Sequence, residues 1–523
     1  MLRKILGFGG FTLLSRVTGF LRDVMLAAVM GAGPATDAFL VAFRLPNHFR
    51  AIFGEGAFNN AFVPAYAHER AAGGPEAARL FADRLFTAML VTQLAVLALA
   101  WAFMPQLVGL LAPGFTGEPE KFALAVTLTR ITFPYLLFVT LVTLVTGVLN
   151  ARDRYAAGAA APVLLNAAMI AGLALAFLFP DAAHAAAWAV SVSGALQLAL
   201  VMWDARRAGL APRLKAFVWN SQMSRFFRGL APAVVGSAGV QLAMFADTVI
   251  ATMLPTGAVS SIYFADRIYQ LPVGVIGVAV GTVIMSEMSR RLAAGDEAGA
   301  HRAQNRAMAL TLVAAAPFAG AFLAVPTLIM EALFARGAFT AGDAAAAGQV
   351  LAAYALGLPA IVLIRSAVSS FYGRRDTVTP LVASLAAVAV NVALKIMLTS
   401  SYGAPGLALA TSAGAWVNLG LLVVLAVRRG WMGADRAFGR TIASVAAAAA
   451  ALTAAAWLAD PHVAALARHA PLFHREAHLG LLAVIGLAVY VAALAAALRL
   501  SGAGLAALRH APPAAPGAAE RKG

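Results

Sequence analysis

Residues 5–65 read ILGFGGFTLLSRVTGFLRDVMLAAVMGAGPATDAFLVAFRLPNHFRAIFGEGAFNNAFVPA. Two apolar runs, 5–30 and 36–65, flank a Gly/Pro turn at Gly31-Ala32-Gly33-Pro34. Each exceeds the roughly 20 residues that a helix needs to cross bilayer hydrocarbon. Inside them lie Arg16, Arg22, Arg44 and Arg50, with Asp23, Asp37 and Glu55. A basic side chain at a lipid-facing helix centre costs about 2.5–3.5 kcal/mol, so four cost on the order of 10 kcal/mol unless they face water, a partner or a ligand. The stretch therefore reads as two membrane helices lining a polar space. The rest of the chain agrees: of 523 residues 61% are hydrophobic and 12% charged, against about 25% charged in a soluble globule.

The same length criterion places fourteen spans near 5–30, 36–65, 85–111, 122–149, 157–179, 186–202, 229–253, 258–286, 307–334, 344–372, 378–399, 404–427, 441–459 and 479–498. The gaps alternate in charge. Met1 to Lys4, 66–84, 150–156, 203–228, 287–306, 373–377, 428–440 and the tail from Arg499 hold about 27 of the 39 Lys+Arg residues, and the opposite side only Lys121, Arg336, Arg468 and Arg475. Basic loops face the cytoplasm, so both termini are expected there and the number of spans is even. The first helix is expected to be retained, because Arg16 interrupts its apolar run and no A-x-A pattern follows.

The net charge of +16 is spread over short gaps rather than gathered in a patch, so it records topology and points to no nucleic acid partner. Zero cysteines exclude disulfides, thiolate metal sites and cysteine nucleophiles, and the nine histidines are scattered without an HExxH motif. Neither a metal site nor a catalytic residue is assigned.

Landmarks recur at an offset of roughly 220 residues. Met104-Pro105-x-Leu107 leading to Ala112-Pro113-Gly114-Phe115 parallels Val325-Pro326-x-Leu328 leading to Ala335-Arg336-Gly337-Ala338-Phe339. Pro134, then Asn150-Ala151-Arg152-Asp153 and Pro162, parallel Pro359, then Gly373-Arg374-Arg375-Asp376 and Pro380. Arg44-Leu45-Pro46 has a counterpart in Arg267 followed by Leu271-Pro272. Six spans separate the copies, which preserves orientation, so the halves are expected to be parallel repeats facing a central cavity. The fold class expected is an all-α integral membrane protein of about fourteen helices: two six-helix lobes, 1–228 and 229–440, two extra helices in 441–500, and a disordered cytoplasmic tail, 501–523.

Eight basic residues fall inside spans, the four already named and Arg130, Arg267, Arg365 and Lys395. Arginine suits a phosphate, because its planar fork donates two hydrogen bonds and keeps its charge when partly desolvated. Arg16, Arg22, Arg50 and Arg267 are the residues expected to bind such a ligand. Asp23 lies seven residues after Arg16 and Arg44 seven after Asp37, a step that returns to nearly the same helix face. Asp23 and Asp37 can thus each bias an arginine, Glu55 adds to the internal neutralisation of the pocket, and Asp266, roughly 100° around its helix from Arg267, is a helper; all four are expected supporting residues. Helix–helix salt bridging is the competing role, above all for Arg44, Arg130 and Lys395. Asp247, deep in a span, and Asp376, at a cytoplasmic helix start where capping competes, are candidates for holding a coupling cation. Pro46, Gly54 and Gly56 interrupt the second helix, where a bend is expected.

Several blocks carry a resemblance. Ser15-Arg16-Val17-Thr18-Gly19-Phe20-Leu21-Arg22-Asp23, Gly31-Ala32-Gly33-Pro34-Ala35-Thr36-Asp37-Ala38-Phe39, Leu45-Pro46-Asn47, Glu55-Gly56-Ala57-Phe58, Ile131-Thr132-Phe133-Pro134-Tyr135, Ala265-Asp266-Arg267 and Phe371-Tyr372-Gly373-Arg374-Arg375-Asp376 closely resemble the MurJ (MviN) family of the multidrug/oligosaccharidyl-lipid/polysaccharide exporter superfamily. The resemblance covers nearly the whole chain. It implies a bacterial inner-membrane flippase that moves lipid II, the undecaprenyl-diphosphate-linked peptidoglycan precursor, to the periplasmic leaflet by alternating access. It further implies that Arg16, Arg22, Arg50 and Arg267 hold the diphosphate-sugar head group and that the last two helices offer a groove to the lipid tail. Membrane lipids and cell-wall synthesis proteins are the candidate partners. No cofactor is implied beyond coupling to membrane potential or a monovalent cation.

A flippase of another polyprenyl-diphosphate-linked oligosaccharide is the nearest competitor. A cationic-drug exporter would favour cavity carboxylates, and a polyprenyl-phosphate glycosyltransferase would need a sizeable outer loop with acidic residues, whereas the longest outer gap is 460–478. The chain lacks cysteine, so single introduced cysteines test the topology. One placed in 66–84 is expected to react with an impermeant thiol reagent only from the cytoplasmic face, and one in 460–478 only from the outer face.

Overall fold

The computed structural model describes residues 2–54, 57–433, 435–469 and 473–501, with the side chains of some helical residues, including 2–9, 48–54 and 233–243, left aside. Glu55 and the expected disordered tail from 502 lie outside the described residues.

The described chain is helical throughout, without a strand. It begins with α1 (Leu2–Met30), α2 (Pro34–Gly54), α3 (Ala57–Ala102), α4 (Met104–Leu111), α5 (Pro119–Thr132), α6 (Pro134–Asn150), α7 (Ala156–Ala174) and α8 (Ala182–Arg207). There follow α9 (Ser221–Thr252), α10 (Ala258–Pro272), α11 (Val278–Ala293), α12 (Glu297–Ala324), α13 (Pro326–Phe334), α14 (Ala341–Ala355), α15 (Leu358–Tyr372), α16 (Val378–Arg428), α17 (Arg436–Ala467) and α18 (His474–Leu500). Proline opens α4, α5, α6 and α15, where a first-turn residue has no intrahelical donor to lose. Asp181, Asn220, Asp296 and Asp435 accept from the first free amides of α8, α9, α12 and α17.

Wherever they are described, the fourteen expected spans fall on this helical backbone. Nine helical stretches among the described residues are long and apolar enough to cross a membrane, and one of them, Val378–Arg428, contains two expected spans separated by a break at Gly403. Two expected cytoplasmic gaps are helical rather than looped: α3 runs through 66–84 with a bend at Gly74, and α11 and α12 occupy most of 287–306. Both are rich in Ala, Glu and Arg, strong helix formers whose polarity keeps them out of lipid without breaking the helix.

The duplication is written in the backbone. Gly74 and Gly295 both have positive φ, at 78° and 73°, as do Gly209 and Gly430, both at 69°, and the non-glycine pair Asp153 and Arg375, at 58° and 63°. Each pair is separated by the sequence offset, within a residue. The turns close alike: Leu210 N–H bonds to Ala205 O as Trp431 N–H bonds to Ala426 O, and Arg154 N–H bonds to Leu149 O as Asp376 N–H bonds to Phe371 O. These left-handed C-terminal caps satisfy the last carbonyls of α6, α8, α15 and α16.

By contacts the chain forms two compact units. The first comprises Met1–Phe264, Leu333–Ala347 and Lys395–Leu407, and the second Ala265–Ala332, Gly348–Leu394 and Ala408–Gly523. In the first, Phe58, Phe62, Phe81 and Phe226 stack at 5.4–6.4 Å between α3 and α9. In the second, α17 and α18 pack on α12, where Leu452 and Tyr490 are buried and the Tyr490 hydroxyl donates to Val313 O at 2.8 Å.

Lipid tails are as apolar as leucine, so helix association here depends on close fit rather than on exclusion of water. Gly172 on α7 shows how close: a Cβ there would lie 2.7 Å from Ala189 Cβ and 3.1 Å from Ala185 O on α8. Gly172→Ala is therefore expected to destabilise by about 1–3 kcal/mol through overpacking. Gly229→Ala, in open space on α9, is expected to stabilise by about 0.5–1 kcal/mol. Thermal unfolding of the detergent-solubilised protein checks both signs.

Candidate functional site

The charged residues of the opening stretch divide into separate arrangements. Arg22 and Asp23, adjacent on α1, are both buried. The Arg22 guanidinium donates to Asp23 Oδ1 through Nε at 3.0 Å and Nη2 at 2.7 Å, and through Nη1 to Asn166 Oδ1 on α7 at 3.0 Å. The Tyr263 hydroxyl of α10 donates to Asp23 Oδ1 at 2.8 Å and lies 3.4 Å from Arg22 Nη2. Asn166 Nδ2 in turn donates to Ser15 O at 2.9 Å and Thr18 Oγ1 at 3.0 Å. Buried charge is tolerated when it is paired and its remaining hydrogen-bonding capacity is met, and this network does both.

Arg16, six residues earlier, lies about 120° around α1 from Arg22. It is exposed and makes no ion pair among the described residues. The seven-residue pairings expected from the sequence are not those adopted. Asp23 engages the neighbouring Arg22, whose long side chain can fold back on an adjacent carboxylate.

Asp37 is taken up elsewhere. It is 1% exposed and accepts from the amides of Gly257 at 2.7 Å and Ser260 at 2.9 Å and from the Ser260 hydroxyl, at the start of α10. Lys121 Nζ stands 3.4 Å from Asp37 Oδ2, donates to Thr256 Oγ1 at 2.9 Å and lies 4.2 Å from the centre of the Phe115 ring. Lys121 was expected in an outer gap. It is buried in the first turn of α5, held by this carboxylate. Beside the clasp, Ala338 N–H bonds to Ala28 O at 2.7 Å, and a Cβ on Gly31 would come within 2.6 Å of Ala338 O. The segments that meet here belong to four of the gaps expected on the outer side, 31–35, 112–121, 254–257 and 335–343.

Arg44 is half-buried and donates to Thr248 Oγ1 of α9 at 3.2 Å. Glu55 and the side chain of Arg50 lie outside the described residues. Asp266 and Arg267 belong to the second unit, both half-buried, with Gln270 Nε2 3.3 Å from Asp266 Oδ1. Arg130 and Arg365 are exposed, the latter with its stem against the π-turn at Val273–Gly277.

Of the two candidate cation ligands, Asp247 pairs with Lys395. Asp376 accepts from the Thr379 amide at 3.0 Å and hydroxyl at 2.6 Å and pairs with Arg429 at 2.5 Å. These donors, Thr379 foremost, hold the Asp376 carboxyl down at about 2. Its observed role is therefore to start α16 and tie it to the loop after it.

The family model described as "Lipid II flippase MurJ" matches residues 26–468. A probable lipid II flippase MurJ of Rhizobium meliloti is 40% identical over 98% of this chain and 96% of its own length. The chain belongs to the MurJ family. A lipid II flippase MurJ of Burkholderia cenocepacia is 35% identical over 82% of this chain and 84% of its own. Among solved structures, a MurJ described as inward closed matches with TM-score 0.80 at 23% identity, over 94% of this chain and 98% of its own. An inward-facing multidrug resistance transporter of the MATE family matches with TM-score 0.66 at 14% identity, over 81% of this chain and 97% of its own, a likeness of fold. Membership of the MurJ family makes the chain a multi-pass membrane protein of a transporter family, in agreement with the expected all-α fold.

Within this MurJ-family chain the sequence pointed to Arg22 and Asp23 but not to Asn166 or Tyr263. An amide alone in the apolar run PVLLNAAMIAGLA was the available signal for Asn166. Asp23→Ala removes the adjacent anion from the buried Arg22 and is expected to cost about 3–5 kcal/mol. Tyr263→Phe removes one hydrogen bond and is expected to cost about 1 kcal/mol. Equal small losses in thermal unfolding would show that Arg22 is not held in a closed network.

Proposed function

We propose that this protein is a lipid II flippase of the bacterial inner membrane, both termini cytoplasmic, moving the diphosphate-sugar head group to the periplasmic side by alternating access. The reading is supported above all by membership of the MurJ family over nearly the full chain. No bond is made or broken, so the task is to move a charged, hydrated head group through a water-filled route while the polyprenyl tail stays in lipid. A diphosphate needs several donors that keep their charge on partial desolvation, which is the property of arginine. Arg16, Arg22, Arg50 and Arg267 are the proposed head-group contacts. Of these, Arg16 is free to meet a ligand directly, whereas Arg22 must exchange a donor now given to Asp23 or Asn166. Glu55 and Asp266 are proposed to support the arginines.

The duplicated halves, 1–228 and 229–440, are the proposed moving parts, with 441–500 accommodating the tail. The clasp of Asp37 and Lys121 with the start of α10 would have to open before the head group leaves. Asp37 is proposed to support the site from within that clasp, where it accepts from the start of α10.

The test is complementation of cells depleted of their own flippase, with external exposure of the lipid II head group measured. Wild type is expected to restore exposure, and each of Arg16→Ala, Arg22→Ala, Arg50→Ala and Arg267→Ala to reduce it at least tenfold at equal expression. Wild-type transport by all four variants would overturn the arginine assignment. Failure of the wild type with lipid II and success with another polyprenyl-diphosphate glycan would replace the proposed cargo.

A further inference from the structure

An acid within an expected membrane span calls for a cation, and Asp247, five residues before the end of α9, already has one supplied by the chain. Lys395 of α16 donates its ammonium to Asp247 Oδ1 of α9, across 148 residues of sequence. The two ends of the pair differ in exposure. The Lys395 side chain is 1% accessible and that of Asp247 35%, so the lysine approaches from within the helix packing while the carboxylate keeps an open edge. The pair lies within one compact unit. The residue after Asp247, Thr248, is itself fully buried and occupied by Arg44.

A carboxylate in this position has three ways to be neutral: a proton, a cation taken from solution, or a fixed cation. A bound alkali ion can leave and couple transport to its own gradient, whereas a lysine ammonium cannot leave. A lysine this deeply buried is held there only by a partner that compensates its charge.

We propose that Lys395 is a tethered counter-cation: its ammonium takes the position at Asp247 that an alkali cation from solution would otherwise occupy, and the transport cycle needs no cation bound there. The coupling consequence rests on the flippase reading, while the occupancy of Asp247 does not. If Lys395 only braces α9 against α16, a cation from solution does not compensate for its loss. A tethered cation leaves an acidic space that sodium, potassium or methylammonium can enter.

The experiment uses the full-length protein in detergent and in proteoliposomes, with NaCl, KCl or methylammonium chloride compared with choline chloride at equal ionic strength. The wild type is expected to show the same thermal midpoint in all four salts. Lys395→Ala, which opens the space, is expected to melt lower in choline and to recover by several degrees in at least one small-cation salt. Asp247→Asn/Lys395→Ala is expected to lose that recovery. Lys395→Met, which fills the space without charge, is expected to fall in midpoint without recovering. A small-cation-specific rise in the wild type that disappears in Asp247→Asn would overturn the proposal, and so would a Lys395→Ala protein as indifferent to cations as the wild type. If Lys395→Ala does not fold in choline but does in a small-cation salt, the proposal is supported; if it folds in none while Lys395→Met folds in all, it is overturned. Midpoints are read without lipid, so failure here is distinguishable from failure of the wild type to move lipid II.

Discussion

Hydrocarbon does not hydrate charge, and that constraint organises the whole molecule. Each ionised group at membrane depth has to find its compensation inside the protein or at a water-filled surface. The described residues meet the requirement in different ways. Arg22 folds onto the neighbouring Asp23 and recruits Asn166 and Tyr263. Lys121 and Asp37 meet at a helix start whose free amides share the carboxylate. Asp247 is met by a buried lysine. Arg16 is left to the accessible surface.

A second constraint is that backbone at membrane depth must also satisfy itself. The chain breaks its helices repeatedly, at Phe103, at Phe133, at Val325 and at Gly403, and nearly every break is restarted by a proline or closed by a left-handed residue. That the same devices recur one repeat later means that both halves solve the same problem with the same local geometry. The non-glycine pair Asp153 and Arg375 is the clearest case. Each adopts a conformation costing an L-residue about 1–2 kcal/mol, and each closes the same hydrogen-bonded turn.

The position of the spans was legible because hydropathy and loop charge act locally. The duplication was legible too, from prolines and glycines that control the backbone directly. The helical nature of 66–84 was not, since hydropathy separates membrane from water but does not separate a polar helix from a loop. Among the charges, the sequence marked which residues were costly and therefore meaningful, and Arg22, Asp23, Asp37, Asp247 and Lys395 all proved to be engaged. It did not mark their partners. A seven-residue step on one helix suggested Arg16 with Asp23 and Asp37 with Arg44, whereas the partners come from the adjacent residue or from helices more than 80 residues away.

The sequence alone therefore determined that this is a polytopic membrane protein with an internal repeat and a surplus of arginine inside its apolar spans, because each of those follows from the local cost of placing a residue in oil. Only the tertiary structure decided which charges are spent on holding the protein together and which remain available. Compensation is a matter of distance in space, and the distance between Asp37 and Lys121, or between Asp247 and Lys395, is set by helix packing rather than by spacing along the chain.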